Sequence, residues 1–107
     1  MITINIRYTG RDGNALKFAR EMTESGVVDL IRAEEGNESY DYYQSLEDPE
    51  TILLVDSWKD QSSIDAHHAS PMMKTIAELR EKYDLHMKVE RYVSTEDVEG
   101  DRDFIRE

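Results

Sequence analysis

The chain has 107 residues with no cysteine, and its 24 acidic residues against 13 Lys and Arg give a formal net charge of -11. This charge repels phosphate backbones and anionic headgroups, and the missing cysteine excludes disulfides and thiolate chemistry. Because no apolar run reaches membrane-spanning length and the first residues do not resemble a secretory signal, we expect one soluble, cytoplasmic domain that binds neither nucleic acid nor membrane.

The first predicted element is a strand from Ile2 to Tyr8, in which apolar even positions alternate with polar odd ones. Asn5 belongs to the polar set but sits among isoleucines. An asparagine is disfavoured in strands and costly when it is buried without a partner, so Asn5 is a candidate functional residue. The alternative is that its face points to water or to a dimer interface.

A helix is predicted after Asp12-Gly13, because apolar residues recur at helical spacing until Ser25-Gly26 breaks the pattern. The apolar patch over residues 27–31 predicts a further short helical turn. Two strands over residues 39–46 and 51–58 then flank a proline-containing turn, which indicates a hairpin.

Asp60 is predicted to cap a short helix over residues 61–69. Ser70 and Pro71 are then predicted as the N-cap and first position of a second helix that ends near Tyr83. Alternating apolar and polar residues over 85–93 predict a fourth strand.

This order predicts an α+β protein, the ferredoxin-like βαββαβ fold with both helices on one face of an antiparallel sheet. The hydrophobic fraction of 38% indicates a thin core, so we expect a second copy to cover part of the apolar surface in a homodimer. We assign residues 1–93 to the domain and residues 94–107 to an acidic tail, with Phe104-Ile105 as a segment that could dock on the neighbouring subunit.

A pattern of aromatic, acidic and histidine residues runs from Tyr40 to Met73. A tyrosine-rich strand is followed by a strand that ends in Trp58-Lys59-Asp60, then by Asp65-Ala66-His67 and by Ser70-Pro71-Met72-Met73. The pattern resembles the antibiotic biosynthesis monooxygenase family, which includes quinol monooxygenases. The resemblance implies a dimeric α/β barrel. Members of this family include cofactor-free oxygenases, haem-degrading enzymes, an isomerase-type branch acting on small signalling sugars, and proteins without an assigned reaction.

A cofactor-free oxygenase needs a base, donors for an oxyanion and an apolar cavity. The resemblance implies that Asn5 and Trp58 hold the oxyanion, with the indole N–H donating to a substrate oxygen, and that His67 takes or relays the proton. The alternatives are a core tryptophan, an outward-facing asparagine and a histidine that only packs near a helix end.

Tyr40, Tyr42, Met72 and Met73 are expected to line the substrate pocket, although core packing is an alternative for all four. We expect no metal, because His67 and His68 project roughly 100° apart on a helix and no metal-ligand spacing occurs. The resemblance places the iron ligand of the haem-degrading branch on Ala77, which argues against haem. No cofactor is therefore expected.

Together these features favour a homodimeric, cofactor-independent monooxygenase that oxidises a small quinol- or phenol-like aromatic with dioxygen. One alternative is a non-catalytic barrel that binds a small ligand. Another is an isomerase-type protein acting on a small signalling metabolite.

Overall fold

A computed structural model of the chain describes residues 1–96 and 99–107. In this part of the chain, four antiparallel strands form one sheet in the order β2-β3-β1-β4. The strands are β1 (Ile2–Thr9), β2 (Asn37–Gln44), β3 (Thr51–Trp58) and β4 (His86–Val93). The helices are α1 (Asn14–Glu24), α2 (Val27–Arg32), α3 (Gln61–His68) and α4 (Met72–Lys82). The predicted βαββαβ order and the α+β class are confirmed.

Alternation along the strands gives the sheet two different faces. The inner face packs against the helices, and the buried residues Ile6, Tyr8, Leu54 and Trp58 belong to it. The outer face carries the odd-numbered residues of β1 and β3 with their neighbours on β2 and β4. A hydrogen bond of 2.9 Å between the Thr3 and Ser57 hydroxyls shows that odd-numbered residues of β1 and β3 lie together on this face. On β4 the parity is reversed, because Ile4 of the inner face pairs with Arg91.

The core lies between the inner face and the helices. Its largest fully buried side chains are Trp58, Tyr8, Tyr40, Phe18, Met22, Ile31, Ile52, Leu54 and Ile76. The helices cover β1, β2 and β3 better than β4, on which Met87 and Val89 are 42% and 51% exposed. The inner face therefore stays open toward the β4 edge of the sheet.

Two predicted helix caps have different outcomes. The Asp60 side chain accepts a hydrogen bond of 2.9 Å from the Ser63 backbone N–H, which confirms the predicted cap of α3. The predicted N-cap role of Ser70 is wrong, because Pro71 takes the cap position and the Ser70 hydroxyl has no hydrogen-bond partner in the described residues. A backbone turn from His67 to Met73 joins the two helices instead.

The predicted tail contains a 3-10 turn over Glu99–Phe104. Phe104 and Ile105 are 90% and 59% exposed and join no core cluster among the described residues. Asp97 and Val98, which also belong to the predicted tail, lie outside the described residues. Within the described residues, no helix is both long enough and apolar enough to cross a membrane.

Candidate active site

A cavity of about 320 Å³ lies between the inner face of the sheet and helices α3 and α4. It opens toward β4, the strand that the helices leave uncovered. Its apolar lining consists of Ile4, Ile6, Ile64, Met73, Met87 and Val89. Its remaining lining residues carry nitrogen or oxygen groups: Asp56, Trp58, Gln61, His68, Arg80 and Arg91.

Among the described residues, Asp56 is the one carboxyl residue in the cavity lining. It is 7% exposed, because its position on β3 turns it toward the helices together with Leu54 and Trp58. Burial raises its pKa from 3.8 to about 6, while the hydrogen bond from Trp58 and the nearby His67 act in the opposite direction. A carboxyl group with this pKa changes its charge close to neutral pH, which is a property of catalytic acids and bases.

Trp58 holds the Asp56 carboxyl in place. Its indole Nε1–H donates a hydrogen bond to Asp56 Oδ1 within the buried interior. The role predicted for this N–H, donation to a substrate oxygen, does not fit this geometry, because the donor already serves Asp56. An indole has only one N–H, so it can make only one such hydrogen bond.

His67 lies behind Trp58 and does not line the cavity. Its ring is 4.8 Å from the indole, centroid to centroid, with an interplanar angle of 31°. On its other side, Nδ1 donates to Glu34 Oε1 over 2.7 Å. Because His67 is only 4% exposed, it can act on a molecule in the cavity only through a neighbouring ring, that of Trp58 or of His68, or after a movement.

The turn between α2 and β2 brings Glu34 to His67. Gly36 adopts a φ of 83°, which favours glycine, and its carbonyl accepts a hydrogen bond of 2.8 Å from the Lys59 N–H. A Cβ at Gly36 would lie 2.0 Å from Ser63 Oγ. Only glycine therefore allows the turn to lie this close to α3, on which His67 sits.

Two arginines also line the cavity, and the positive charge of Arg80 is close enough to Asp56 to lower the pKa of that carboxyl. Arg80 donates from Nε and Nη2 to the Tyr8 hydroxyl, over 3.1 and 2.8 Å. Arg91 donates from Nη2 to the Gln61 side-chain oxygen. Neither guanidinium forms an ion pair with a carboxylate of the described residues.

The four predicted pocket residues divide into two groups. Met73 lines the cavity, whereas Met72 packs at the edge of the core without lining it. Tyr40 belongs to the buried core cluster and Tyr42 packs against that cluster, with the two rings 5.9 Å apart in an edge-to-face contact. Burial raises the pKa of both tyrosines, so both hydroxyls are protonated at neutral pH. These two tyrosines pack in the core and do not gate the cavity.

Asn5 lies on the outer face of the sheet, opposite Val55 and Glu90. The structure therefore does not bring it together with Trp58 and His67, which lie on the other side of the sheet. The reason is the strand pleat: Asn5 is one residue from Ile4 and Ile6, which face the cavity. Its Oδ1 is buried and has no hydrogen-bond partner in the described residues.

Four residues of the site and its surroundings were not predicted from the sequence: Asp56, Arg80, Arg91 and Glu34. The sequence does contain a signal for Asp56. Asp56 lies on the same face of its strand as Leu54 and Trp58, and the other residues of that face are apolar. A carboxylate at such a position is as unexpected as an asparagine among isoleucines. The two arginines and Glu34 gave no comparable signal, since each is an ordinary surface residue by sequence pattern.

Comparisons with known proteins agree with this architecture. The profile of the antibiotic biosynthesis monooxygenase family matches residues 1–79. A protein from Deinococcus radiodurans, described provisionally as an antibiotic biosynthesis monooxygenase, superimposes with a TM-score of 0.79 at 16% identity, covering 92% of this chain and 96% of the other. SnoaB of Streptomyces nogalater, a cofactor-independent oxygenase, superimposes with a TM-score of 0.74 at 11% identity, with the same coverage.

A curated relative, YcnE of Bacillus subtilis, has been named provisionally as a monooxygenase. It is 35% identical over 42 residues, which is 39% of this chain, and the match spans 44% of its own length. The solved structures establish the shared fold, and the family profile covers most of the chain. The chain therefore belongs to the antibiotic biosynthesis monooxygenase family.

Proposed function

We propose that this protein is a cofactor-independent monooxygenase that oxidises a small quinol- or phenol-like aromatic with dioxygen. The observation that carries the proposal is the buried Asp56 carboxyl, which lines the cavity together with the apolar side chains of Ile4, Ile6 and Ile64. The volume of about 320 Å³ is at the lower end of the range for small-molecule sites and suits a compact aromatic ligand.

In the proposed reaction, ionised Asp56 takes a proton from the acidic hydroxyl of the substrate. The resulting anion gives one electron to dioxygen, and the radical pair combines into a peroxide. Loss of water then breaks the O–O bond and the C–H bond of the carbon that carries the peroxide, which leaves one oxygen atom in the product as a carbonyl. The water takes one hydrogen from that C–H bond and the other from protonated Asp56. The apolar walls of Ile4, Ile6 and Ile64 exclude solvent from the anion, which favours electron transfer to dioxygen over reprotonation.

Trp58 and His67 have positioning roles in this proposal. Trp58 orients Asp56 through the hydrogen bond from its N–H. His67, which is hydrogen-bonded to Glu34, packs against the indole ring and keeps it in position. Met73 contributes to the wall of the cavity. Asn5 has no part in the chemistry, because its side chain is on the outer face.

The proposal predicts oxygen uptake by the purified protein in the presence of a metal chelator, without added flavin or metal. Uptake should occur with some members of a panel of quinols, naphthols and anthrones, and should consume one molecule of dioxygen per carbonyl formed. A Clark electrode with product analysis by mass spectrometry measures both. If no panel member supports uptake while several bind, the chain is better described as a ligand-binding barrel or an isomerase-type protein.

We also propose that the protein is a homodimer and that the outer face is the contact. Leu53 and Val55 are only partly exposed on this face, Tyr43 and Tyr92 are 54% and 49% exposed, and Asn5 Oδ1 has no partner. Apolar surface and an unpaired amide together suit contact with a second sheet.

Leu53→Asp should therefore convert the dimer to a monomer, because it places a charge in the contact. We expect the dissociation constant of the dimer to rise more than about tenfold, as measured by light scattering over a concentration series. Leu46→Asp is the matched control, because Leu46 is fully exposed in the β2–β3 turn. A wild-type monomer, or two variants that behave alike, would contradict the proposed contact.

Two further expectations remain part of the proposal. Residues 1–93 form the catalytic domain, with residues 94–107 as an acidic extension. The protein acts in the cytoplasm.

A further inference from the structure

The cavity differs in charge from the rest of the molecule. The chain carries 11 more acidic residues than Lys and Arg, yet the described residues of the cavity lining include two arginines, Arg80 and Arg91, against the one carboxyl of Asp56. An acidic protein repels anions at long range, so a basic site within it indicates a ligand that is recognised by its negative charge at short range.

The sheet register fixes how the charges are separated. Asp56 on β3 pairs with Ile4 on β1, and Ile4 pairs with Arg91 on β4. The three residues form one row across the inner face, with their side chains on the same side. Two strand spacings separate the Cα atoms of Asp56 and Arg91 by about 10 Å. The floor between the two charged residues is apolar.

Both guanidinium groups have donors to spare. A guanidinium carries five N–H groups. The contacts of Arg80 with Tyr8 use two, and the contact of Arg91 with Gln61 uses one. Because neither arginine is ion-paired with a described carboxylate, the cavity lining holds two positive charges whose remaining donors can bind an anion.

The contacts of the two arginines also direct them toward the cavity. Gln61, at the start of α3, holds the Arg91 guanidinium across the opening between α3 and β4. Tyr8, which is fully buried, holds Arg80 against the sheet. An arginine whose only role is to keep the protein soluble would point into the solvent. These two arginines are instead hydrogen-bonded to the uncharged side chains of Tyr8 and Gln61.

We propose that the substrate carries a carboxylate in addition to its oxidisable hydroxyl, and that Arg91, assisted by Arg80, binds this carboxylate while the hydroxyl faces Asp56. The proposal deepens the oxygenase function and rests on it for the identity of the reacting hydroxyl. It names the substrate class as aromatic hydroxy acids whose two groups lie at opposite ends of one or two rings. The ring would lie over Ile4, beside Val89 and Met73.

Binding calorimetry at pH 7.5 tests the proposal without requiring turnover. The probes are 6-hydroxy-2-naphthoate and its uncharged analogue 6-hydroxy-2-naphthamide, titrated into the wild type, Arg91→Gln and Arg20→Gln. Arg20 is the matched control, because it is an exposed arginine on α1 that does not line the cavity.

We expect the wild type and Arg20→Gln to bind the naphthoate about tenfold or more tightly than the amide, the size of one charge-assisted hydrogen bond. In Arg91→Gln that preference should disappear through weaker binding of the naphthoate, with the affinity for the amide unchanged. The proposal is overturned if the wild type binds the two probes equally, if it binds neither, or if Arg91→Gln keeps the preference.

Oxygen uptake with the naphthoate is a separate measurement. If the naphthoate binds through Arg91 but no oxygen is consumed with any panel substrate, the carboxylate subsite stands and the oxygenase function fails. If panel substrates without a carboxylate are oxidised and the naphthoate shows no Arg91-dependent binding, the function stands and the subsite fails.

Discussion

Replacing Asp56 with asparagine is expected to abolish oxygen uptake and at the same time to stabilise the folded protein at neutral pH. Asparagine keeps the shape of the side chain and an oxygen that can accept the Trp58 N–H, but it cannot take a proton. General base catalysis contributes about 10²- to 10⁴-fold, so kcat should fall by at least about a hundredfold.

The stability gain follows from the raised pKa of Asp56. Because the folded-state pKa is about 6 and the ordinary value is 3.8, the folded state holds this proton more tightly than the unfolded state. The favourable contribution is present below about pH 4 and is lost as the pH rises through about 6. At pH 7 the ionised, buried carboxylate therefore costs at most about 3 kcal/mol, which asparagine avoids.

Urea denaturation of wild type and Asp56→Asn between pH 4 and 8 measures the stability effect. The difference in free energy of unfolding should grow between pH 4 and 6 and stay constant above pH 7. Asp12→Asn is the control, because Asp12 is exposed in the turn before α1 and its φ of 57° suits asparagine. A pH-independent difference would contradict the raised pKa, and a fully active Asp56→Asn would remove Asp56 from the reaction.

Truncation of Trp58 to alanine should have the largest effect on stability. Trp58 is 1% exposed, contacts the His67 ring and donates the one hydrogen bond that the Asp56 side chain receives from the described residues. Loss of a buried aromatic costs about 3–5 kcal/mol, and Asp56 would also lose its donor, so we expect a loss of about 4 kcal/mol or more. Far-UV circular dichroism during urea denaturation measures it, since Trp58 is the sole tryptophan.

Two further variants separate packing from positioning. Phe104→Ala, at a side chain that is 90% exposed, should change stability by less than about 0.5 kcal/mol. Trp58→Phe keeps an aromatic ring beside His67 but removes the N–H, whose hydrogen bond lowers the pKa of Asp56. The pH at which kcat rises should then move upward. An unchanged pH profile in Trp58→Phe would mean that Trp58 only packs, and a stable Trp58→Ala would contradict its place in the core.

The fold was predictable because each element carries its own periodic signal. The alternation in Ile2 to Tyr8 and the apolar strand 51–58 predict β1 and β3 almost to the residue, and Asp60 correctly predicts the start of α3. Ser70 misled the prediction, because a serine before proline resembles a cap by local sequence, whereas the turn from His67 decides where α4 begins. Local patterns specify elements well, but the contacts at their ends depend on neighbouring elements.

The candidate site was predictable only in part. Trp58, His67 and Met73 do lie at or beside the cavity, but the partners that define their contacts come from distant parts of the chain. Glu34 reaches His67 across 33 positions, and Arg80 reaches Tyr8 across 72. Asn5 was misplaced because the resemblance was weighted above the alternation of its own strand, which already assigned it to the polar face.

By itself the sequence determined the class of fold, the family and the alternation that turns Asp56 and Trp58 to the same side as the core. Hydrophobic periodicity and turn residues act over a few neighbouring positions, and they are therefore readable from the chain alone. Only the tertiary structure decided that Asp56 is buried enough to ionise near neutral pH, that Trp58 donates to it, and that Arg91 lies in the same row across the sheet. Burial and the pairing of distant charges arise from the packing of strands and helices, and they set the chemistry of this cavity.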